Sequence, residues 1–200
     1  MVQYQIKPIL DWLNELRAER ESPMVAIDGI GGCGKSTLAN ELAERLNLMS
    51  VSTDDFYRVM DEGERVKLSA KQGYERYFDW ERLREHLLEP FSEKKVARYE
   101  RYDWGSNKLD GEVVIEKPSL LLVEGVQAAR PELQQFYDGL IYVHTSRQIA
   151  TQRVRDRQEN PHDMIKRWAD SEDYYVDHVL DLTKFNFIIS GQSGRVLATF

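Results

Sequence analysis

A single cysteine, Cys33, in a chain of 200 residues excludes any internal disulfide. No apolar run approaches the roughly 20 residues that span a bilayer. The first residues, Met1-Val2-Gln3-Tyr4-Gln5-Ile6-Lys7, lack the basic-then-apolar layout of a secretory signal. The expected setting is the cytoplasm, away from any membrane. No Lys/Arg-rich run is present, and the formal net charge is −7. Duplex nucleic acid, held mainly by cations on its phosphates, is therefore not an expected partner. Internal repeats and low-complexity segments are absent. The four histidines, His86, His144, His162 and His178, show no metal-ligand spacing. What remains is an ordinary globular composition, 42% hydrophobic and 30% charged. Its length suits one domain with a sizeable core, alone or as a homo-oligomer.

Against these absences, one segment stands out. Gly29-Ile30-Gly31-Gly32-Cys33-Gly34-Lys35-Ser36 fits the G-x-x-x-x-G-K-[ST] pattern of a phosphate-binding loop. It follows Met24-Val25-Ala26-Ile27, a short apolar run that reads as a buried strand. It precedes Thr37 to Leu46, whose leucines recur every four residues as on a helix. A loop between strand and helix leaves backbone N–H groups unpaired at a helix N-terminus, which attracts phosphate. The loop from Gly29 through Thr37 is expected to hold ATP, with Lys35 on the β and γ phosphates and Ser36 on Mg²⁺. A helix N-terminus beside Cys33 is expected to favour its thiolate and expose it to alkylation or oxidation.

Periodicity predicts the rest of the frame. Ile6, Ile9, Leu10, Leu13 and Leu16 make a leading amphipathic helix over 3–20, ended by Ser22-Pro23. A short strand covers 49–53. A helix covers 80–88, with Pro90 after it. Residues 96–117 alternate as a hairpin whose turn falls at 107–111. Leu120 to Val123 and Leu140 to Val143 are unbroken apolar runs, as in strands buried on both faces. Helices follow at about 146–158 and 163–180, and Phe185 to Ile189 is the last strand. The predicted fold is α/β: a mostly parallel sheet sandwiched by helices, with a hairpin insertion at 96–117. Ligands in such folds sit beyond the carboxyl ends of the strands.

Acidic residues stand at those ends. Asp54, after the second strand, is placed to accept the proton of an attacking hydroxyl during γ-phosphoryl transfer. Its alternative is a helix cap, for it or for Asp55. Glu124 ends the run from Leu120 and is placed to serve Mg²⁺; a surface ion pair is the alternative. Arg147, Arg153, Arg155 and Arg157 punctuate the helix after Val143. Arg153 and Arg157 either close over the triphosphate or form a solvated helix face. Aromatic residues crowd 56–104, suited to a planar base or to core filling. Asn107-Lys108-Leu109-Asp110 spells a guanine-reading N-K-x-D motif, but at a hairpin turn rather than after a buried strand.

Taken together, these motifs resemble the uridine kinase (uridine-cytidine kinase) family of phosphate-loop kinases. The matching pieces are Ile27-Asp28-Gly29 through Leu38, Ser52 to Arg58, Phe78-Asp79, Tyr102-Asp103-Trp104 and Leu122 to Gly125, in family order over roughly 24–190. The resemblance implies that Asp54 is the base acting on a nucleoside 5′-hydroxyl and that Asp79 holds the ribose hydroxyls. It further implies that Tyr57 and Tyr102 line the nucleoside pocket and that Glu124 serves the metal. Asn107 falls where the family has a pyrimidine-reading histidine, Glu100 replaces a usual proline, and the lid at about 153–161 is short. The expected activity is transfer from Mg-ATP to uridine or cytidine. Other hydroxyl acceptors (pantothenate, a sugar phosphate) and a non-kinase ATPase or switch module remain open.

Overall fold

In the computed structural model, which describes residues 4–116, 118–158 and 161–199, chain order alternates strands and helices. Helix α1 (Lys7–Glu19) leads into β1 (Met24–Asp28), α2 (Lys35–Leu46) and β2 (Met49–Ser52). A tight turn at Thr53–Phe56 is followed by α3 (Glu62–Arg65), α4 (Ala70–Arg76), α5 (Trp80–Leu83) and α6 (Glu89–Ser92). The hairpin β3 (Ala97–Asp103) and β4 (Lys108–Ile115) precedes β5 (Leu121–Gly125) and β6 (Gly139–His144). Then come α7 (Arg147–Asp156), α8 (His162–His178), β7 (Phe187–Ser190) and β8 (Val196–Thr199).

The main sheet has the order β2-β5-β1-β6-β7-β8, and β3 and β4 pair apart from it. Its first five strands are parallel, and β8 runs antiparallel on β7. Every residue of β1 and β5 is buried, because helices cover both faces. Side chains alternate between those faces. Val25, Ile27 and Leu122 join Leu13, Leu38 and Leu42 under α1 and α2. Met24, Leu121 and Val123 face the other way, onto Leu83, Leu87, Phe91 and the hairpin residue Tyr99. Each such apolar side chain contributes about 1.5–3 kcal/mol by leaving water. Register then aligns the strand ends: Asp28 lies opposite Gly125, and Ser52 opposite Glu124.

Three predictions shift. The hairpin turn lies at 104–107, and Gly111 belongs to β4, where the register slips opposite Glu100 and Arg101. With φ of 72° and nothing within 4 Å of an added Cβ, Gly111 forms a bulge rather than the turn. Pro90 does not end the 80–88 helix. A π turn at Arg84–Leu88 restarts the backbone as α6, with Pro90 in the first turn, where a missing N–H costs no bond. The strand predicted at Phe185 to Ile189 spans Phe187–Ser190 and is not the last, since β8 follows it. The short helices α3 and α4 also carried no periodic signal. Gln3, Lys117, Glu159 and Asn160, predicted in the leading helix, the hairpin and the lid, lie outside the described residues.

Candidate active site

The loop after β1 bends through backbone that favours glycine. At Gly32, φ is 78° and an added Cβ would meet the Ala150 carbonyl oxygen at 2.3 Å. Gly34, at φ 108°, is the N-cap of α2 and offers no side chain to its first amides. Those donors are left to face an anion. The Lys35 side chain is buried, with Nζ 3.4 Å from the Ile30 carbonyl oxygen. Burial works against its charge, but Cys33, Glu124, Asp54 and Glu172 outweigh this and hold its pKa above the ordinary lysine value.

Two of the predicted groups meet directly: the Ser36 hydroxyl donates to Glu124 Oε2 at 3.0 Å. Asp54 stands on the turn after β2, its carboxylate open to the cleft and walled by protein. That enclosure pushes its pKa up; Lys35 opposes the shift, while Glu124, Asp55 and Glu172 reinforce it. The capping alternative for Asp54 and Asp55 is overturned, because Ser52 caps that turn by accepting from the Asp54 N–H at 3.3 Å. Asp55 instead accepts from the Tyr99 hydroxyl at 2.9 Å and holds the hairpin.

Lys35, Ser36 and Asp54 border a cleft of about 420 Å³, while Glu124 is not part of its lining and meets it only through Ser36. Loop residues Gly31, Gly32, Gly34, Lys35, Ser36 and Thr37 form one end, with Asp54 beside them. The other end is aromatic: Tyr57, Tyr77, Phe78, Trp104 and Trp168. Trp168 Nε1–H donates to the Tyr57 hydroxyl at 2.8 Å, and Trp104 stacks on the Tyr57 ring at 4.6 Å. From the helical side come Arg147, Arg157 and Glu172. Glu172 accepts from the Gly31 N–H at 3.0 Å and pairs with Arg147, which also pairs with Asp173.

Several predicted residues lie elsewhere. Arg153 donates to the carbonyl oxygens of Gly32, Cys33 and Gly191 at 3.0–3.4 Å, bracing the loop from behind rather than lining the cleft. Asp79 caps α5 by accepting from the Arg82 N–H and pairs with Arg58 at 3.1 Å. Tyr102 donates to Asn107 Oδ1 at 2.9 Å, and the Asn107 amide donates to the Met60 carbonyl oxygen at 2.8 Å. None of these borders the cleft. Ile30 and Cys33 face the core, and Gly29 has no room for a Cβ between Cys33 and Val143. The reactive-thiolate expectation for Cys33 is overturned: burial pushes its thiol up, more than Lys35 pulls it down.

One functional neighbour had no expected role. Asp28, fully buried at the end of β1, accepts from the N–H groups of Gly29, Gln127 and Ala129 and from the Tyr175 hydroxyl, all within 2.6–3.1 Å. It joins the phosphate loop, the turn after β5 and α8. Glu172 and Gln127 were missed likewise, since only tertiary packing brings them to the loop.

A parallel sheet carrying a phosphate loop at β1, an acid after β2 and another at the end of β5 defines the class as a P-loop kinase fold. Residues 25–176 match the family model AAA_18, described as an AAA domain, and the chain belongs to that family. A possible uridine kinase from Bacillus stearothermophilus shares the fold at TM-score 0.69 and 19% identity, covering 92% of this chain and 98% of that one. A D-glycerate 3-kinase from Cryptococcus neoformans does so at TM-score 0.66 and 11% identity, covering 99% of each. A stretch of 38 residues, 19% of this chain, is 50% identical to the bifunctional pantoate ligase/cytidylate kinase of Gloeobacter violaceus. That stretch covers 7% of the bifunctional protein's length. No helix among the described residues is long and apolar enough to cross a membrane.

Proposed function

We propose that this protein is an ATP-dependent kinase transferring the γ-phosphoryl group of Mg-ATP to the 5′-hydroxyl of a nucleoside, uridine or cytidine first. The observation that carries the reading is Asp54, a carboxylate without a capping role, open to a cleft that has the phosphate loop at one end and aromatic rings at the other. The raised pKa of Asp54 suits a group that takes a proton from a hydroxyl as phosphoryl transfer proceeds. Lys35 and the first amides of α2 neutralise the phosphates, and positioning supplies most of the rate.

The donor set fits Mg²⁺. Ser36 and Glu124 offer two hard oxygens already in contact, and among the described residues no cluster of three or more His, Cys, Asp or Glu competes for a metal. Two protein ligands, with phosphate and water completing the shell, is how Mg²⁺ is usually held. When bound, the ion neutralises charge on the phosphates.

The aromatic wall favours a planar base over a sugar phosphate. Of the cations a second phosphate would need, Arg58 is paired with Asp79 and Glu81, Arg76 with Glu64 and Lys71 with Glu75, and none of these, nor Lys67, borders the cleft. The test is acceptor-dependent ADP release with Mg-ATP across nucleosides and small alcohols. A product with uridine or cytidine that falls about 10²-fold or more in Asp54→Asn supports the reading. ADP release equal across the panel, and insensitive to Asp54→Asn, favours the ATPase or switch alternative and refutes it.

A further inference from the structure

The chain ahead of α1 reaches the phosphate loop. The Gln5 N–H donates to the Gly194 carbonyl oxygen at 2.8 Å, which ties this segment to the turn between β7 and β8. Tyr4, only 5% exposed, joins Ile6, Cys33 and Leu38 in the core. Its hydroxyl donates to the Gly34 carbonyl oxygen at 3.0 Å. The approach is close: a Cβ on Gly34 would stand 2.4 Å from the hydroxyl oxygen, so residue 34 has no room for a side chain. Burial, with Cys33 adding to it and Arg153 opposing, pushes the Tyr4 pKa up to about 12, so the phenol remains a donor at neutral pH. Tyr4 lies ahead of residues 25–176, which carry the family match.

Three consecutive loop carbonyls are held from behind. Arg153 donates to those of Gly32 and Cys33, Thr145 Oγ1 to that of Cys33 at 3.0 Å, and Tyr4 to that of Gly34. A planar trans peptide locks each C=O to the N–H of the next residue. Pinning the Gly34 carbonyl therefore fixes the direction of the Lys35 N–H, which opens α2. The Leu38 N–H donates to the same carbonyl at 3.1 Å. A carbonyl oxygen has two lone pairs and accepts both, so loss of the phenol would leave no unmatched group. What the Tyr4 hydroxyl adds is orientation.

We propose that Tyr4 is a positioning residue for the phosphates of the donor: its hydroxyl holds the phosphate loop in the shape that binds them. The inference rests on the phosphate-binding part of the reading above, and it holds whether the acceptor is a nucleoside or another alcohol. Amides already aimed lose less freedom when the ligand arrives, so the gain appears as affinity.

The test is Tyr4→Phe, which removes one oxygen and keeps the ring. Calorimetry reads two probes, Mg-ATP and Mg-tripolyphosphate; the second has no nucleoside and reports on the loop alone. Each should bind about 5- to 10-fold more weakly than to wild type. The ligand-free variant should melt lower by about 4 °C or less, because Leu38 still serves the carbonyl. A tyrosine with only a structural role would lower the melting temperature and leave the affinity of the folded protein for tripolyphosphate unchanged. A loss below about threefold for either probe, or a larger fall in melting temperature, overturns the proposal. Wild type that binds both probes but phosphorylates no acceptor refutes the kinase reading alone, and the comparison still decides for Tyr4. Absent wild-type binding of either probe overturns the proposal, and absent Mg-ATP binding takes the kinase reading with it.

Discussion

Replacing Asp28 by Asn should change how folding stability depends on pH, by an amount the structure sets. Burial raises the Asp28 pKa from 3.8 to about 6, although the Ala129 N–H, the Tyr175 hydroxyl, the Gly29 N–H and Lys35 all pull it down. The native protein then keeps a proton that the unfolded chain has released, so unfolding free energy falls as pH rises between those values and levels off above. At about 1.4 kcal/mol per pH unit, the loss between pH 4 and pH 7 is about 2 kcal/mol. The phenols around it, Tyr137, Tyr142 and Tyr175, are all raised by burial and do not titrate in this range. The substituted amide carries no titrating proton, but it faces the Ala129 N–H, a donor against a donor, at a cost of about 1–3 kcal/mol. Urea unfolding of both proteins at four pH values from 4.5 to 7.5 isolates the effect as a difference. Asp28→Asn should be clearly the weaker at pH 4.5 and close to wild type at pH 7.5. A difference that stays constant across the series would refute the reasoning, because it means the hydrogen bonds fully offset the burial of charge.

Three further outcomes follow from the same geometry. Glu172→Gln removes a negative charge from the Gly31 amide and from Arg147, where phosphate is to bind, and should tighten Mg-ATP binding about tenfold by calorimetry; weaker binding would show that Glu172 supports the loop instead. Gly125→Ala drives a Cβ to 1.7 Å from Thr53 Oγ1 at φ 153° and should cost about 3 kcal/mol or more, read as a melting temperature lower by about 6–12 °C. Cys33, completely buried with its thiol raised, should react with iodoacetamide at least about 100-fold more slowly in the native protein than in urea; fast native labelling would show that the phosphate loop opens readily.

Legibility tracked the range of the forces involved. The phosphate loop, β1, β5 and β6 could be read because their signals lie within ten residues: glycines at a turn, apolar runs buried on two faces. Asp54 and Glu124 could be nominated because a strand end predicts where a side chain emerges. The hairpin turn was misplaced because one glycine suits a turn and a bulge equally, and only cross-strand register separates them. Strand β8 has only four residues, and its apolar stretch Val196-Leu197-Ala198 is half-exposed and too short to mark a strand by itself. Asp79, Tyr102 and Asn107 came from resemblance, and their hydrogen bonds go to protein partners outside the cleft. Gln127, Glu172 and Asp28 act through neighbours about 100 or more positions away, which no local pattern encodes.

Helix α8 touches three parts of the molecule within two turns: Trp168 the aromatic wall, Glu172 the phosphate loop, and Tyr175 the buried aspartate at the root of β1. A rigid rod cannot move one of these contacts alone. Any sliding or rolling of α8 that admits a triphosphate at its middle must also reshape the far pocket, so the two ligands should sense each other's presence equally in both directions.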